Sequence, residues 1–142
     1  MNMQKLTKKT IEAIQAAQDT AIEYQNTNVD QPHLLYALMT QENGLIPQLM
    51  KKLGKDATVA GSLERVMANI PKVTGSGRDM NTVYISQSLD RLLNASEAIA
   101  KNMGDEFVSV EHVMLSYFDN ADKDIKQIFK DFAIDKDSFL KA

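Results

Sequence analysis

The stretch VDQPHLLYALM at residues 29–39 is matched in pattern by VSVEHVMLSYF at residues 108–118, a shift of 79 positions. In each copy a polar residue suited to capping a helix stands three positions before a histidine, and an almost wholly apolar segment follows. A helix that is apolar nearly all round is buried in a soluble protein. The two stretches therefore predict two equivalent central helices.

The same shift extends outward in both directions. It aligns the chain without a gap from Leu6 to Asp56, and average residue usage would give about three identities over that length by chance. A duplicated unit buries its two halves against each other, which leaves a seam. We place repeat one at about residues 6–69, a connector at 70–84 and repeat two at about 85–142. Eight pairs are identical: 16/95, 21/100, 29/108, 33/112, 46/125, 48/127, 51/130 and 56/135.

Each repeat reads as four helices. Thr7 and Ser86 are N-caps of long first helices that run to about Gln25 and Met103, and Asp30 and Ser109 cap the second helices. The third helices are predicted at 46–53 and 125–132, and the fourth at 57–69 and 136–141, capped by Asp56 and Asp135. We therefore predict an all-α fold of about eight helices in two pseudo-twofold-related four-helix repeats.

The connector has a different character. Pro71, Gly75 and Gly77 interrupt it, which indicates an irregular segment. Only residues 82–85 alternate in polarity, and that run is too short to support a sheet.

Composition narrows the functional classes. The chain has 142 residues, of which 44% are hydrophobic and 25% charged, as expected for one globular domain. No apolar run approaches the roughly 20 residues that span a bilayer, and the first ten residues hold no signal core, so we expect a cytoplasmic protein without membrane contact. A net charge of −3 argues against nucleic-acid binding.

Catalytic and metal motifs are lacking in the sequence. The segments 54–55 and 75–78 contain glycine but do not supply the spacing of a phosphate-binding loop. We therefore expect no bound cofactor and no enzymatic activity within this chain. His33 and His112 could be metal ligands, but no ligand spacing supports that role. Each lies three residues after a helix cap, so we interpret both as structural.

The acidic loop before the second central helix is the strongest binding candidate. Asp105 and Glu106 stand beside the aromatic Phe107, and Glu111 follows at the helix start, where a negative charge is also favoured by the helix dipole. In repeat one the matching positions hold Asn26, Thr27, Asn28 and Pro32. The duplication is therefore locally broken at this loop.

Four motifs resemble a known family. Residues 6–7, 32–38, 70–73 and 104–112 are similar to the N-terminal domain of the Clp/Hsp-hundred ATPases, a double Clp repeat, and most closely to that of the ClpB-type AAA+ protein disaggregases. The resemblance covers essentially the whole chain. Residues 116–118 depart from it, with Ser-Tyr-Phe where small and aliphatic residues are usual, so this helix is expected to pack differently.

The resemblance implies a substrate-binding module. Such domains engage exposed apolar segments of unfolded or aggregated client proteins and deliver them to ATPase rings that bind ATP and Mg²⁺. The parent family is hexameric and cooperates with a DnaK-type chaperone, whereas the isolated domain is expected to be monomeric. Two alternatives keep the fold: the adaptor-binding domain of a ClpA/ClpC-type unfoldase, and a free-standing Clp-repeat protein.

The resemblance also implies a site. Thr7, Asp105 and Glu111 match family positions at the start of the first helix and in the acidic loop. The apolar wall of the groove between the repeats is assigned to Leu93, Val110 and Val113.

Overall fold

The computed structural model describes residues 3–54, 59–72 and 83–141, and within these ranges it is all-α, as predicted. A 3-10 turn at Met3–Lys5 precedes the first helix. The predicted Asp56 cap and most of the connector lie outside the described residues. The helices are α1 (Lys8–Glu23), α2 (Gln31–Thr40), α3 (Leu45–Lys52), α4 (Val59–Asn69), α5 (Gln87–Asn102), α6 (Val110–Asn120), α7 (Lys123–Asp131) and α8 (Lys136–Lys141), with two short strands, β1 (Asn28–Val29) and β2 (Tyr84–Ile85).

Equivalent hydroxyls start the two long helices. The Thr7 hydroxyl accepts a hydrogen bond from the Thr10 N–H, and the Ser86 hydroxyl accepts one from the Leu89 N–H. Both caps satisfy a backbone donor that the first turn of a helix leaves without a partner. Helices α1 and α5 have 16 residues each and are offset by 79 positions at both ends, so the duplication seen in the sequence holds in the backbone.

The apolar stretches form the central helices, as predicted. In α2 the side chains of Leu34, Leu35 and Leu38 are buried, and in α6 those of Met114 and Tyr117 are buried. Helix α2 packs against α1 and α4, and α6 packs against α5. Contacts of α3 with α6 and of α4 with α7 join the two repeats into one core.

Two crossed backbone junctions tie the repeats together. The Thr7 N–H donates to the Val108 carbonyl at 3.0 Å, and the Ser86 N–H donates to the Val29 carbonyl at 2.9 Å. Thus the first helix of each repeat begins against the segment that precedes the central helix of the other repeat. Next to these bonds Leu6 forms a parallel bridge with Val108, and β1 pairs in parallel with β2.

The second junction includes two residues of the run 82–85, which is predicted from the sequence to be too short to support a sheet. Tyr84 and Ile85 pair with Asn28 and Val29, respectively, in a ladder of two residues per strand. This pairing depends on the packing of the repeats, because an isolated two-residue ladder has little stability of its own.

A buried glutamine reinforces the seam. Gln31 donates from Nε2 to the Ser88 hydroxyl at 2.7 Å and to the Asn120 carbonyl at 3.0 Å, and its Oε1 accepts the Asp122 N–H at 2.8 Å. Its own backbone carbonyl accepts the Tyr117 hydroxyl at 2.7 Å. The first residue of α2 is therefore bonded to α5, to α6 and to the turn before α7.

Residues 116–118, where the sequence departs from the family pattern, also make contacts within repeat two. The Ser116 hydroxyl donates to the Leu92 carbonyl at 2.7 Å. The Phe118 ring lies with its centroid 5.3 Å from that of Phe129 and 5.6 Å from that of Phe139, in tilted pairs. Phe118 thus joins α6 to α7 and α8 by aromatic packing, and a difference from other family members stays a prediction.

Removing the Tyr117 hydroxyl tests the seam. Burial raises the pKa of this phenol well above its ordinary value, so the hydroxyl stays protonated and donates to Gln31. Tyr117→Phe leaves the buried carbonyl without this donor, and we expect the free energy of unfolding to fall by about 1–3 kcal/mol, measured by urea denaturation. An unchanged midpoint at an unchanged slope would contradict the assigned role.

The helix ends suggest a second test, because each repeat lacks a glycine that the other has. Gln25 has φ +59° where its counterpart Gly104 has +78°, and Ala133 has φ +53° where its counterpart Gly54 has +74°. A side chain is strained in this left-handed region by about 1 kcal/mol. We expect Gln25→Gly and Ala133→Gly each to raise the free energy of unfolding by about 0.5–1 kcal/mol.

Ala98→Gly is the matched control. This residue is exposed in the interior of α5, where glycine destabilises by about 1 kcal/mol relative to alanine. Thermal unfolding should therefore show opposite signs for the helix-end and mid-helix glycines, and a loss of stability at all three positions would contradict the strain argument.

Candidate functional site

The two histidines close equivalent helix caps, which confirms their structural interpretation. His33 Nδ1 accepts the Asp30 N–H at 2.9 Å, and His112 Nδ1 accepts the Ser109 N–H at 2.9 Å. With Nδ1 acting as an acceptor, the neutral ring carries its proton on Nε2. Both rings therefore have an Nε2–H to donate to a second partner.

That second partner differs between the repeats. His33 Nε2 lies 2.8 Å from Asn26 Oδ1, and His112 Nε2 lies 2.8 Å from Asp105 Oδ2. Asn26 is 2% exposed, whereas the Asp105 side chain is 49% exposed. The same arrangement of helix cap and histidine, the His-cap frame, therefore holds a buried neutral amide in repeat one and a solvent-facing carboxylate in repeat two.

In repeat two, where Asp105 faces solvent, the histidine cap borders a shallow cleft of about 320 Å³ at the start of α6. Phe107 is 48% exposed at this cleft, and the carboxylates of Asp105, Glu106 and Glu111 are beside it. Ser109 and His112 complete the lining. The arrangement offers an apolar contact surrounded by hydrogen-bond acceptors, which suits a polypeptide segment with an apolar side chain and neighbouring donors.

Thr7 lies next to this loop, as the resemblance implied. Its N–H binds the carbonyl of Val108, the residue after Phe107, and its hydroxyl lies 2.8 Å from that of Thr10. Thr10 also donates to the Val108 carbonyl at 3.0 Å. The crossed junction thus brings the start of α1 to the acidic loop across about a hundred residues of sequence.

The other three predicted site residues lie in the core, and their role as a groove wall stays a prediction. Leu93, Val110 and Val113 are 3%, 5% and 1% exposed. The reason is the close packing of α5 against α6, which turns their apolar faces toward each other. Apolar residues at the seam have the same sequence pattern whether they line an opening between the repeats or are buried where the helices meet.

Sequence reasoning missed an apolar cleft of about 360 Å³ on repeat two. Ile99, Met103, Leu115 and Leu140 line it, together with Asn102 and Lys136. Met103 and Leu140 are 49% and 54% exposed. Ile99 belongs to the apolar stripe of α5, and Met103 is the C-cap residue that continues it. The signal that could have revealed the cleft is this continuation of the stripe past the residues that α6 covers.

Metal-ligand clusters and membrane-spanning helices are both absent from residues 3–54, 59–72 and 83–141. These ranges contain no cluster of three or more histidine and acidic side chains placed to hold a metal ion. Within the same ranges, every helix is too short or too polar to cross a membrane.

Comparison with known proteins places the chain in a family. Residues 5–132 match the Clp repeat (R) N-terminal domain family. The chaperone protein ClpB of Clostridium tetani is 36% identical over 143 aligned residues, which take in the whole of this chain and 16% of that protein. The chain belongs to the Clp repeat N-terminal domain family. Within that family it is an N-domain of the ClpB type, and it spans about one sixth of the length of such a relative.

Solved structures show the same fold at low sequence identity. The Hsp104 N-terminal domain from Candida albicans superposes with a TM-score of 0.79 at 20% identity, over 96% of this chain and 87% of that one. The ClpV N-domain in complex with a VipB peptide superposes with a TM-score of 0.69 at 16% identity, over 91% and 79%. The fold therefore tolerates wide variation in sequence.

The buried histidine of repeat one makes stability depend on pH. Burial lowers the pKa of His33 below its ordinary value of about 6.5. The unfolded chain thus binds a proton at a pH where the folded chain does not, so this contribution to stability is complete above about pH 6.5 and falls as the pH drops through that value.

His33→Gln should reduce the dependence of the free energy of unfolding on pH between 7.5 and 5.5, measured by urea denaturation at each pH. Glutamine can retain the cap, since its amide oxygen can accept the Asp30 N–H. Equal slopes for the variant and the parent would show that His33 does not carry the pH dependence.

Proposed function

We propose that this domain is the client-binding N-terminal module of a ClpB-type chaperone. It engages exposed apolar segments of unfolded or aggregated proteins at the cleft before α6. The observation that carries the proposal is the half-exposed Phe107 ring set among three carboxylates beside the crossed junction at Thr7. Membership of the ClpB-type N-domains supports the same function.

The loss of symmetry at this loop supports a role beyond folding. A duplicated fold needs the His-cap frame in both copies, and both copies have it. Asn26 satisfies that frame without charge or exposure. The exposed acid and aromatic of repeat two are therefore not required by the cap, and ligand contact accounts for them.

Binding at such a site is weak and tolerant. A shallow cleft with one aromatic removes little apolar surface from water, and each square ångström contributes about 25 cal/mol. Ordering a flexible client offsets much of this gain, so we expect dissociation constants that are micromolar or weaker. The carboxylates favour segments in which a basic or amide side chain stands near an apolar one.

The proposal extends to the whole protein. ATP hydrolysis, hexamer formation and cooperation with a DnaK-type chaperone would belong to further domains, which drive disaggregation once this module has captured a client. An adaptor-binding domain would instead bind one dedicated partner tightly, and a free-standing Clp-repeat protein would lack accompanying ATPase domains.

Titration of the ¹⁵N-labelled domain with an unfolded client tests the site. With reduced, carboxyamidomethylated lysozyme as client, we expect chemical-shift changes concentrated at residues 6–7 and 105–113. Phe107→Asn installs the residue of the matching repeat-one position, and should weaken binding about threefold to tenfold through lost apolar contact.

Tyr84→Asn is the matched control, because Tyr84 is a more exposed aromatic, at 67%, outside this cleft. The control should bind as the parent does. Shift changes scattered over the whole surface, or equal losses in the two variants, would reject the site. Shift changes confined to Ile99, Met103 and Leu140 would move it to the apolar cleft of repeat two.

A further inference from the structure

We propose that His112 is a positioning residue of the client site, acting through Asp105. The inference rests on the proposed function and deepens it. In this scheme His112 does not touch the client. It holds the Asp105 carboxylate in one orientation, so that the second carboxylate oxygen is presented to a hydrogen-bond donor of the client.

The imidazole is itself immobilised. His112 is 3% exposed, and its Nδ1 takes the Ser109 N–H at 2.9 Å and lies 3.1 Å from the Ser109 hydroxyl. Because Nδ1 is occupied, the Nε2–H points in a single direction. Its partner there is Asp105 Oδ2, at 2.8 Å.

Asp105 is held from its backbone as well. Its N–H donates to the Ala100 carbonyl at 2.9 Å, directly after Gly104, whose φ of +78° turns the chain away from α5. Among residues 3–54, 59–72 and 83–141, none donates a hydrogen bond to the other oxygen, Oδ1, and the side chain is half-exposed. A carboxylate fixed at both ends loses little conformational freedom when it accepts a donor, so more of the interaction energy appears as affinity.

Repeat one supplies the internal reference. His33 makes the same cap and the same Nε2 contact, but to Asn26, whose amide is buried and lies 3.5 Å from the Pro71 carbonyl. That pair has no oxygen facing solvent for a client. The two histidines thus share a structural task, and we assign the binding task to His112 alone.

The experiment compares His112→Leu with His33→Leu in the whole domain. Affinity for fluorescein-labelled, reduced and carboxyamidomethylated lysozyme is measured by anisotropy, and thermal unfolding is followed by circular dichroism. Both variants should lower the unfolding temperature, since each removes a cap partner. Only His112→Leu should weaken client binding, by about threefold to tenfold, which is less than the full loss of a hydrogen bond to a charged group because Asp105 remains and loses only its fixed orientation.

Two further variants isolate the path through Asp105. In His112→Gln the amide can accept the Ser109 N–H and donate to Asp105, so it should restore affinity. In an Asp105→Ala background, His112→Leu should cause no further loss of affinity, because the residue through which it acts is gone. If His112→Leu is unfolded at the assay temperature, His112→Asn can keep a cap acceptor at the Nδ1 position, but its side chain is too short to donate to Asp105, so it should show the same weakening.

The outcomes distinguish failure of the positioning role from failure of the proposed client-binding function. Equal affinity losses for the His33 and His112 variants, or no loss for His112→Leu while Asp105→Ala weakens binding, would overturn the positioning role and leave the client site standing. If neither Asp105→Ala nor Phe107→Asn weakens binding, the proposed function itself fails at this cleft.

Discussion

The crossed pair of backbone hydrogen bonds, from Thr7 to Val108 and from Ser86 to Val29, is the constraint on which the domain depends. Each repeat alone would leave the start of its long helix and the segment before its central helix without these partners. Because backbone polar groups that are buried must be bonded, the two repeats complete each other rather than only touching. The same exchange brings the beginning of α1 to the acidic loop, so the fold and the candidate site have one physical origin.

Duplication then leaves room for divergence at matched positions. The cap frame tolerates Asn26 in one copy and Asp105 in the other, because both offer an oxygen to the histidine. The Gln31 side chain, by contrast, bonds across the seam, and the side chain of its counterpart Val110 has no hydrogen-bonding group. In the pair Asn26 and Asp105, one copy is buried in the fold and the other copy faces solvent.

Local patterns predicted most of the fold. The hydroxyl caps at Thr7 and Ser86, the glycine end at Gly104 and the histidine at the third helical position are short-range features, and each is seen in the structure. The site was predicted less completely. Phe107 and Asp105 are predicted binding residues because they break the repeat, whereas apolar periodicity could not separate the buried Leu93 and Val113 from the half-exposed Met103.

The sequence by itself determined the helices, their caps and the duplication, because these depend on contacts within a few residues or on similarity between two stretches. Only the tertiary structure decided which of the matched positions face solvent. Exposure depends on which helices come together and how closely, as when α5 and α6 close over Leu93 and Val113 while Asp105 is left open beside its buried histidine. That packing involves residues far apart in the chain, and their spacing along the sequence does not encode the distance between them.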